Sequence, residues 1–228
     1  MENTFVIALG GSIVHPDEIN VAYLKEFKNF ISTETAKGKK FIIVVGGGAP
    51  ARKFQRAANE VVDVADNDLD WLGIHATRLN AHLLRTIFRE EAHPVILDER
   101  GRINDFAGHA IIIGAGWQPG WSTDFVAAQA AADFNIKMVL ILGKPEFVYN
   151  KDNQQFSDAE PIKELSWPEY LKLIPNVWSP GIHAPVDPVA AKLAEKEGLE
   201  VIVAGGADLA NVKNILEGEK FKGTVIKS

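Results

Sequence analysis

Apolar positions along this chain fall into short, β-branched runs separated by longer stretches in which apolar residues recur every three or four positions. The runs Phe5–Leu9, Phe41–Val45, Ala110–Ile113, Met138–Leu142 and Glu200–Ala204 are nearly continuous, with a shorter one at Thr224–Ile226. Continuous rather than alternating apolar character marks strands covered on both faces, and therefore a mostly parallel sheet between layers of helix. Helices are predicted over Ile19–Ala36, Pro50–Val62, Asp68–Glu91, Ser122–Phe134 and Pro188–Gly198. The first sets Leu24, Phe27, Phe30 and Ile31 on one face and stops before Gly38, whereas the last opens on Asp187 as N-cap with Pro188 behind it. Pro94–Leu97 is predicted as a further strand, and the polar stretch Tyr149–Pro161 as a surface hairpin or loop. The expected architecture is one α/β domain over residues 1–228: a three-layer α/β/α sandwich around a mostly parallel central sheet.

Composition narrows the functions open to such a fold. Of 228 residues, 46% are apolar and 24% charged, as in an ordinary globular domain, and the net charge of −6 disfavours a nucleic-acid backbone as partner. The absence of cysteine excludes disulfides, thiolate metal sites and thiol nucleophiles. With no signal-like start and no apolar run near membrane-spanning length, the cytoplasm is the expected compartment.

The chemistry is expected where the strands end. Ligands of open α/β sheets bind at the carboxyl ends of the strands, and four ends here carry glycine: Gly10-Gly11, Gly46-Gly47-Gly48, Gly114 with Gly116, and Gly143. Glycine lets a phosphate approach the backbone, and a helix starting there offers free N–H groups and a positive dipole end. A single such loop is usually only a turn, but four at one edge point to phosphate binding. Gly46 to Ala51 formally fits the dinucleotide fingerprint, yet the segment where its acidic strand end belongs, Asp66 to Asp70, opens a helix, so that reading is set aside. No P-loop pattern is present. Arg52, in the first turn after the triple glycine, has the fork geometry for a phosphate; Arg78, mid-helix, reads as a structural or interface residue. His75 and His82, two turns apart on one helix, lack a third ligand and do not make a metal site. Trp117 and Trp121 flank Pro119-Gly120 in a loop, where exposed aromatics suit base stacking or an interface, while Trp167 and Trp178 read as packing residues. Asp124, in the first turn of its helix, gains from the helix dipole and is placed to support the site by orienting a cation between two phosphates.

Taken in order and spacing, ALGGS (Ala8–Ser12), VVGGGAPARK (Val44–Lys53), DWLGIHATRLNA (Asp70–Ala81), GAGWQPGWSTDFVAA (Gly114–Ala128) and VDPVAAKLA (Val186–Ala194) resemble the amino acid kinase superfamily, and within it the archaeal-type UMP kinases. The resemblance implies ATP with Mg2+ as phosphoryl donor, UMP as acceptor, and a homohexamer with no nucleic-acid or membrane partner. By the same resemblance Gly10, Gly11, Ser12, Gly48 and Gly143 lie along ATP, with Tyr149 and Asp152 on its adenosine. Gly47 and Arg52 take UMP, Arg52 at its phosphate, Asp70 takes its ribose, and Trp117, Gln118, Gly120, Ser122 and Thr123 wrap the uridine. Two lysines found in many members are replaced by Ala8 and Ala49, and the segment Lys144 to Tyr149 departs from the family pattern. Lys144 is therefore the expected source of the catalytic cation, and Asp124 is expected to support the site more than it reacts. Two other readings stand beside this one: a relative that binds nucleotide or oxyanion with little or no transfer, and a kinase for another small acceptor.

Overall fold

The computed structural model describes residues 3–152, 155–175 and 184–228. Seven strands form one sheet in the order β3-β2-β1-β4-β8-β9-β7. They are β1 (Thr4–Leu9), β2 (Lys40–Val45), β3 (Ile111–Gly114), β4 (Met138–Gly143), β7 (Glu164–Ser166), β8 (Glu200–Gly205) and β9 (Thr224–Lys227). All neighbours are parallel except β8 and β9. A two-stranded hairpin of β5 (Val148–Tyr149) and β6 (Pro161–Ile162) brackets the polar stretch expected to be a hairpin or loop.

The apolar runs explain the layering. Successive residues of one strand serve opposite cores: Val6, Ala8, Ile42, Val44, Val139 and Ile141 face α5 (Thr123–Asp133), α6 (Trp167–Leu173) and α7 (Pro188–Lys196). Ile7, Leu9, Phe41, Ile43, Leu140 and Leu142 face α1 (Gly11–Val14), α2 (Val21–Ala36), α4 (Asp66–Ile87) and α8 (Leu209–Glu217). A strand apolar on both faces can only be buried on both faces. The remaining helix, α3 (Gly48–Val61), packs beside α4 at the carboxyl edge of the sheet. Among the described residues no helix is long and apolar enough to cross a membrane.

The structure departs from the sequence expectations in a few places, each with a local cause. Pro94–Leu97 forms no strand. His93 N–H reaches Ile111 O, but Pro94 has no donor and Val95 N–H turns back to His93 Nδ1, so only isolated bridges join the segment to β3. Helix α6 is introduced by a capping box of Ser166 and Glu169. Asp208 caps α8, and Gly218 closes it at φ +71°. Trp167 is fully buried, as expected of a packing residue, with Nε1 donating to Leu199 O at 3.0 Å. Trp178 lies outside the described residues.

Candidate active site

Because β3, β2, β1, β4 and β8 are parallel neighbours, Gly114, Gly46, Gly10, Gly143 and Gly205 come together along one edge. The glycine turns after β1 and β2 cross in direct backbone contact. A Cβ at Gly46 would stand 2.7 Å from Gly11 N, and one at Gly48 would stand 2.6 Å from Gly11 O and 2.7 Å from His15 O. Gly48 also has φ +67°, a left-handed conformation that an L side chain resists. Buried Asn80, reaching up from α4, donates Nδ2 to Gly46 O (2.8 Å) and Gly47 O (3.1 Å), so the carbonyls of the turn are held away from any anion. The first four N–H groups of a helix lack partners within it. In α3, Ala49 N–H is taken by His15 O at 2.9 Å and Pro50 has none, which leaves Gly48 and Ala51 on the wall of a cleft.

That cleft has a volume of about 360 Å³. Gly47, Gly48, Ala51, Arg52 and Gln55 of the α3 end form one side, and Asp70, Gly73, Ile74 and Thr77 of α4 a second. Gly116, Trp121, Ser122, Thr123 and Asp124 close it from the loop into α5, together with Ala184 and Asp187. Gln55 Nε2 donates to Leu69 O (2.8 Å), fixing α3 against α4. Thr77 Oγ1 accepts from Gly116 N (2.8 Å), fixing α4 against the loop. Asp70 Oδ2 accepts from Gly120 N at 2.7 Å, which ties the loop's tip across the cleft.

Two helix N-termini meet on the far wall. Ser122 caps α5, accepting from Phe125 N at 3.0 Å, while its hydroxyl donates to Asp187 Oδ2. Asp187 is 2% exposed and caps α7, with Oδ1 accepting from Val189 N (2.8 Å) and Ala190 N (3.1 Å). The approach to Asp187 is fixed in turn by fully buried Tyr170, whose hydroxyl donates to Val186 O and accepts from Val186 N, each at 2.7 Å. Asp124 shares this wall. Burial pushes its carboxyl up to about 8, and the charge of Asp187 pushes the same way. The helix dipole expected from the sequence to favour the ionised form is therefore outweighed by desolvation. No group of three or more Asp, Glu or His among the described residues could hold a metal ion.

The cleft thus gathers Gly47, Gly48, Arg52, Asp70, Ser122, Thr123 and Asp124 of the residues singled out in the sequence. Arg52 stands exposed at its rim. Gly120 touches the site through Asp70, and Gln118 is exposed outside it. Trp117 requires correction: it is 6% exposed, and its Nε1 donates to Leu97 O at 3.1 Å, so its ring belongs to the core and offers no stacking face. Gly10, Gly11 and Ser12 lie at the neighbouring strand end, with Gly143 and exposed Lys144 next after β4. Tyr149 and Asp152 sit beyond them, in and after β5, outside the cleft. Arg78 is structural, donating to Gly116 O, Asp98 O and Trp117 O at 3.2–3.4 Å. Sequence reasoning missed Asn80, Gln55, Thr77 and the place of Asp187 in the wall. It also passed over Gly205-Gly206, a fifth glycine-bearing strand end, whose Gly206 N–H bonds Gly143 O at 2.9 Å.

Known proteins are similar to this chain over nearly its whole length. The family described as "Amino acid kinase family" matches residues 3–205. Uridylate kinase of Hyperthermus butylicus is 31% identical over 221 residues, covering 95% of both chains. Uridylate kinase of Methanocorpusculum labreanum is 31% identical over 225 residues, covering 97% of this chain and 94% of its own. The crystal structure of uridylate kinase from Archaeoglobus fulgidus superposes with a TM-score of 0.81 at 27% identity, over 97% of this chain and 99% of that one.

Proposed function

The chain belongs to the amino acid kinase family, and from that premise we propose that it is a UMP kinase, transferring the γ-phosphoryl of ATP to UMP. The observation that carries this reading is the cleft itself, which sets the amide end of α3 and Arg52 beside the Asp70 carboxylate and the Ser122 and Thr123 hydroxyls. An anion binds at the first feature and a ribose at the second, which is the layout of a nucleoside monophosphate. The relatives named above are uridylate kinases, and they match over nearly the full length of this chain.

In the reaction a phosphate oxygen of UMP attacks the γ-phosphorus. The new P–O bond forms as the β,γ-bridging bond breaks, and ADP leaves with that electron pair. Little covalent chemistry falls to the protein, which must hold two phosphates in line and stabilise the equatorial oxygens. The acceptor phosphate sits at the α3 end with Arg52. ATP lies along the adjoining ends of β1 and β4, where Gly10, Gly11, Ser12, Gly143 and Lys144 stand, with Tyr149 and Asp152 toward its adenosine. Among the described residues no cluster of carboxylates could hold a metal ion by itself, so a magnesium ion would enter with the nucleotide and would supply charge neutralisation at the transferring group. Self-association accords with the apolar residues bared on α3 and α4, where Phe54 is 64%, Val61 81% and Leu79 67% exposed.

A second reading is favoured by one observation: Ala8 and Ala49, 3% and 4% exposed, place no charge beside the crossing turns. On that reading the protein binds nucleotide and transfers slowly. A coupled ADP-release assay with UMP, CMP, AMP, GMP and small carboxylic acids distinguishes the two. UMP is expected to support the fastest release. Tight UMP binding without release would favour the second reading, and release with a small acid alone would overturn both.

A further inference from the structure

We propose that Asn80 is a positioning residue for the transfer step, its one amide nitrogen aiming two main-chain N–H groups at the two phosphates to be brought into line. The inference rests on reading the chain as a kinase whose acceptor phosphate lies at the α3 end, and adds what aligns that phosphate with the transferring one.

Asn80 lies in α4 beside fully buried Ala81 and is itself 2% exposed. A buried amide is costly unless it is hydrogen-bonded. Its Nδ2, with two hydrogens to give, reaches both Gly46 O (2.8 Å) and Gly47 O (3.1 Å). Both partners are acceptors, so the NH2 of the side chain and not its carbonyl must face them. The two oxygens belong to consecutive peptides. In a planar trans peptide the C=O and the N–H point opposite ways. Holding Gly46 O therefore turns Gly47 N–H away from Asn80, and holding Gly47 O does the same for Gly48 N–H. Gly47 and Gly48 both line the cleft, and among the described residues neither N–H donates to a protein acceptor.

A clamp matters here because the turn has no side chains of its own to set its peptides. Glycine adopts φ of either sign about equally readily, so a run of three can present a carbonyl where an amide is needed. Close packing fixes where the turn sits: a Cβ at Gly47 would stand 2.8 Å from Ala51 Cβ and 3.2 Å from Gly73 O. The bonds from Asn80 fix which way its peptides face. The two N–H groups serve different partners. Gly47 is the N-cap of α3, on the acceptor side with Arg52. Gly48 sits at the crossing, packed against Gly11 of the turn that serves ATP. One nitrogen holds both peptides, so the two phosphates are aligned through a single joint. Alignment of reacting groups lowers the barrier to transfer, whereas binding of the separate nucleotides rests on Arg52 and their other contacts.

Steady-state kinetics with ATP and UMP test the proposal on the parent, on Asn80→Asp, which keeps the shape, and on Asn80→Leu, which keeps the bulk. Thermal melts establish that each variant is folded. Both variants should lower kcat roughly 10- to 100-fold and leave KM for UMP within about threefold. Amide NMR spectra give a second readout. In the parent the Gly47 and Gly48 N–H resonances should move downfield on adding UMP with a non-hydrolysable ATP analogue, and in each variant at least one of them should stay in place. A rise in KM for UMP with kcat kept would show that Asn80 only supports binding and would overturn the role. Parent resonances that stay in place with both nucleotides bound would overturn it even if neither variant folds. A parent that transfers nothing to UMP would overturn the kinase reading and this role together, whereas a transferring parent matched in kcat by its folded variants would overturn this role alone.

Discussion

Replacing Asp124 by Asn separates stability from turnover at a carboxyl that the fold holds out of its ordinary state. In the folded protein this carboxyl is pushed up to about 8, first by burial and then by Asp187, whereas in the unfolded chain it titrates near 3.8. At pH 7 roughly ten folded molecules keep the proton for each that has lost it, while the unfolded chain has released it. The folded state therefore binds more protons between the two values, and its stability falls as pH rises through them. Below about pH 4 the contribution is fully present; above about pH 8 nothing further is lost. The slope from one such group is at most about 1.4 kcal/mol per pH unit. In a chain of this size 1 kcal/mol is worth about 2–4 °C in Tm, so the limit is roughly 3–6 °C per unit. Asn keeps the shape and does not titrate. Tm of Asp124→Asn minus Tm of the parent should therefore grow steadily from pH 5 to pH 8, and taking the difference cancels the titrating groups that do not interact with Asp124. Calorimetry of both proteins without ligand, at matched ionic strength, measures it. A difference that stays flat or shrinks with pH would refute the claim that burial and Asp187 hold the proton on. The same variant should lose turnover while remaining folded, and parental turnover at every magnesium concentration would remove Asp124 from the reaction.

Gly48→Ala should lower Tm by several degrees and abolish transfer, because a left-handed L residue costs about 1–2 kcal/mol before the new Cβ meets Gly11 O and His15 O; a parental melt would contradict the crossing of the two turns. Arg52→Ala should weaken UMP by the ~1.5–3 kcal/mol of a charge-assisted contact, and unchanged affinity in calorimetry would take Arg52 out of the site. Lys144→Met should reduce turnover at saturating ATP and UMP by about 100-fold, equivalent to ~2.7 kcal/mol of transition-state stabilisation; near-parental turnover would rule Lys144 out.

Much of this fold is legible because its strands are buried on both sides. A run such as Phe41–Val45 has no polar position to confuse with a surface strand, and all five of its residues are inaccessible. What could not be read depends on partners distant in the chain. Trp117 and Trp121 carry the same local signal, four positions apart on either side of Pro119-Gly120. Which of them turns inward depends on Leu97 O, which accepts Trp117 Nε1 as well as Ala115 N–H and lies 20 residues upstream. Asp187 was legible as an N-cap, since that role is local to Pro188. Its second role, accepting from Ser122 and raising the Asp124 carboxyl, exists only once α5 and α7 pack together. Helices α6 and α8 carried readable caps in Ser166, Glu169, Asp208 and Gly218, but both are short, and their apolar faces are too brief for a periodicity to stand out.

The crossing of the two glycine turns also explains why this site can be so poor in cations near its centre. Gly11, Gly46 and Gly48 are packed backbone to backbone, with no room for a side chain at any of them. Ala8 and Ala49, where the resemblance implies lysines in many members, are both buried and carry no charge. Backbone amides, fixed by Asn80 on their carbonyl side, can cradle an anion without a side chain, but they cannot neutralise the charge that spreads over a phosphoryl group in flight. A full charge must come from outside the crossing. On one side the next cation is Arg52; Lys53 beside it is engaged with Asp17 at 2.7 Å. On the other side β4 is the strand next to β1, and the residue that follows it is Lys144. In the proposed reaction Arg52 serves the acceptor and Lys144, after the strand next to β1, serves the donor. Losing the first should appear in UMP affinity and losing the second in turnover.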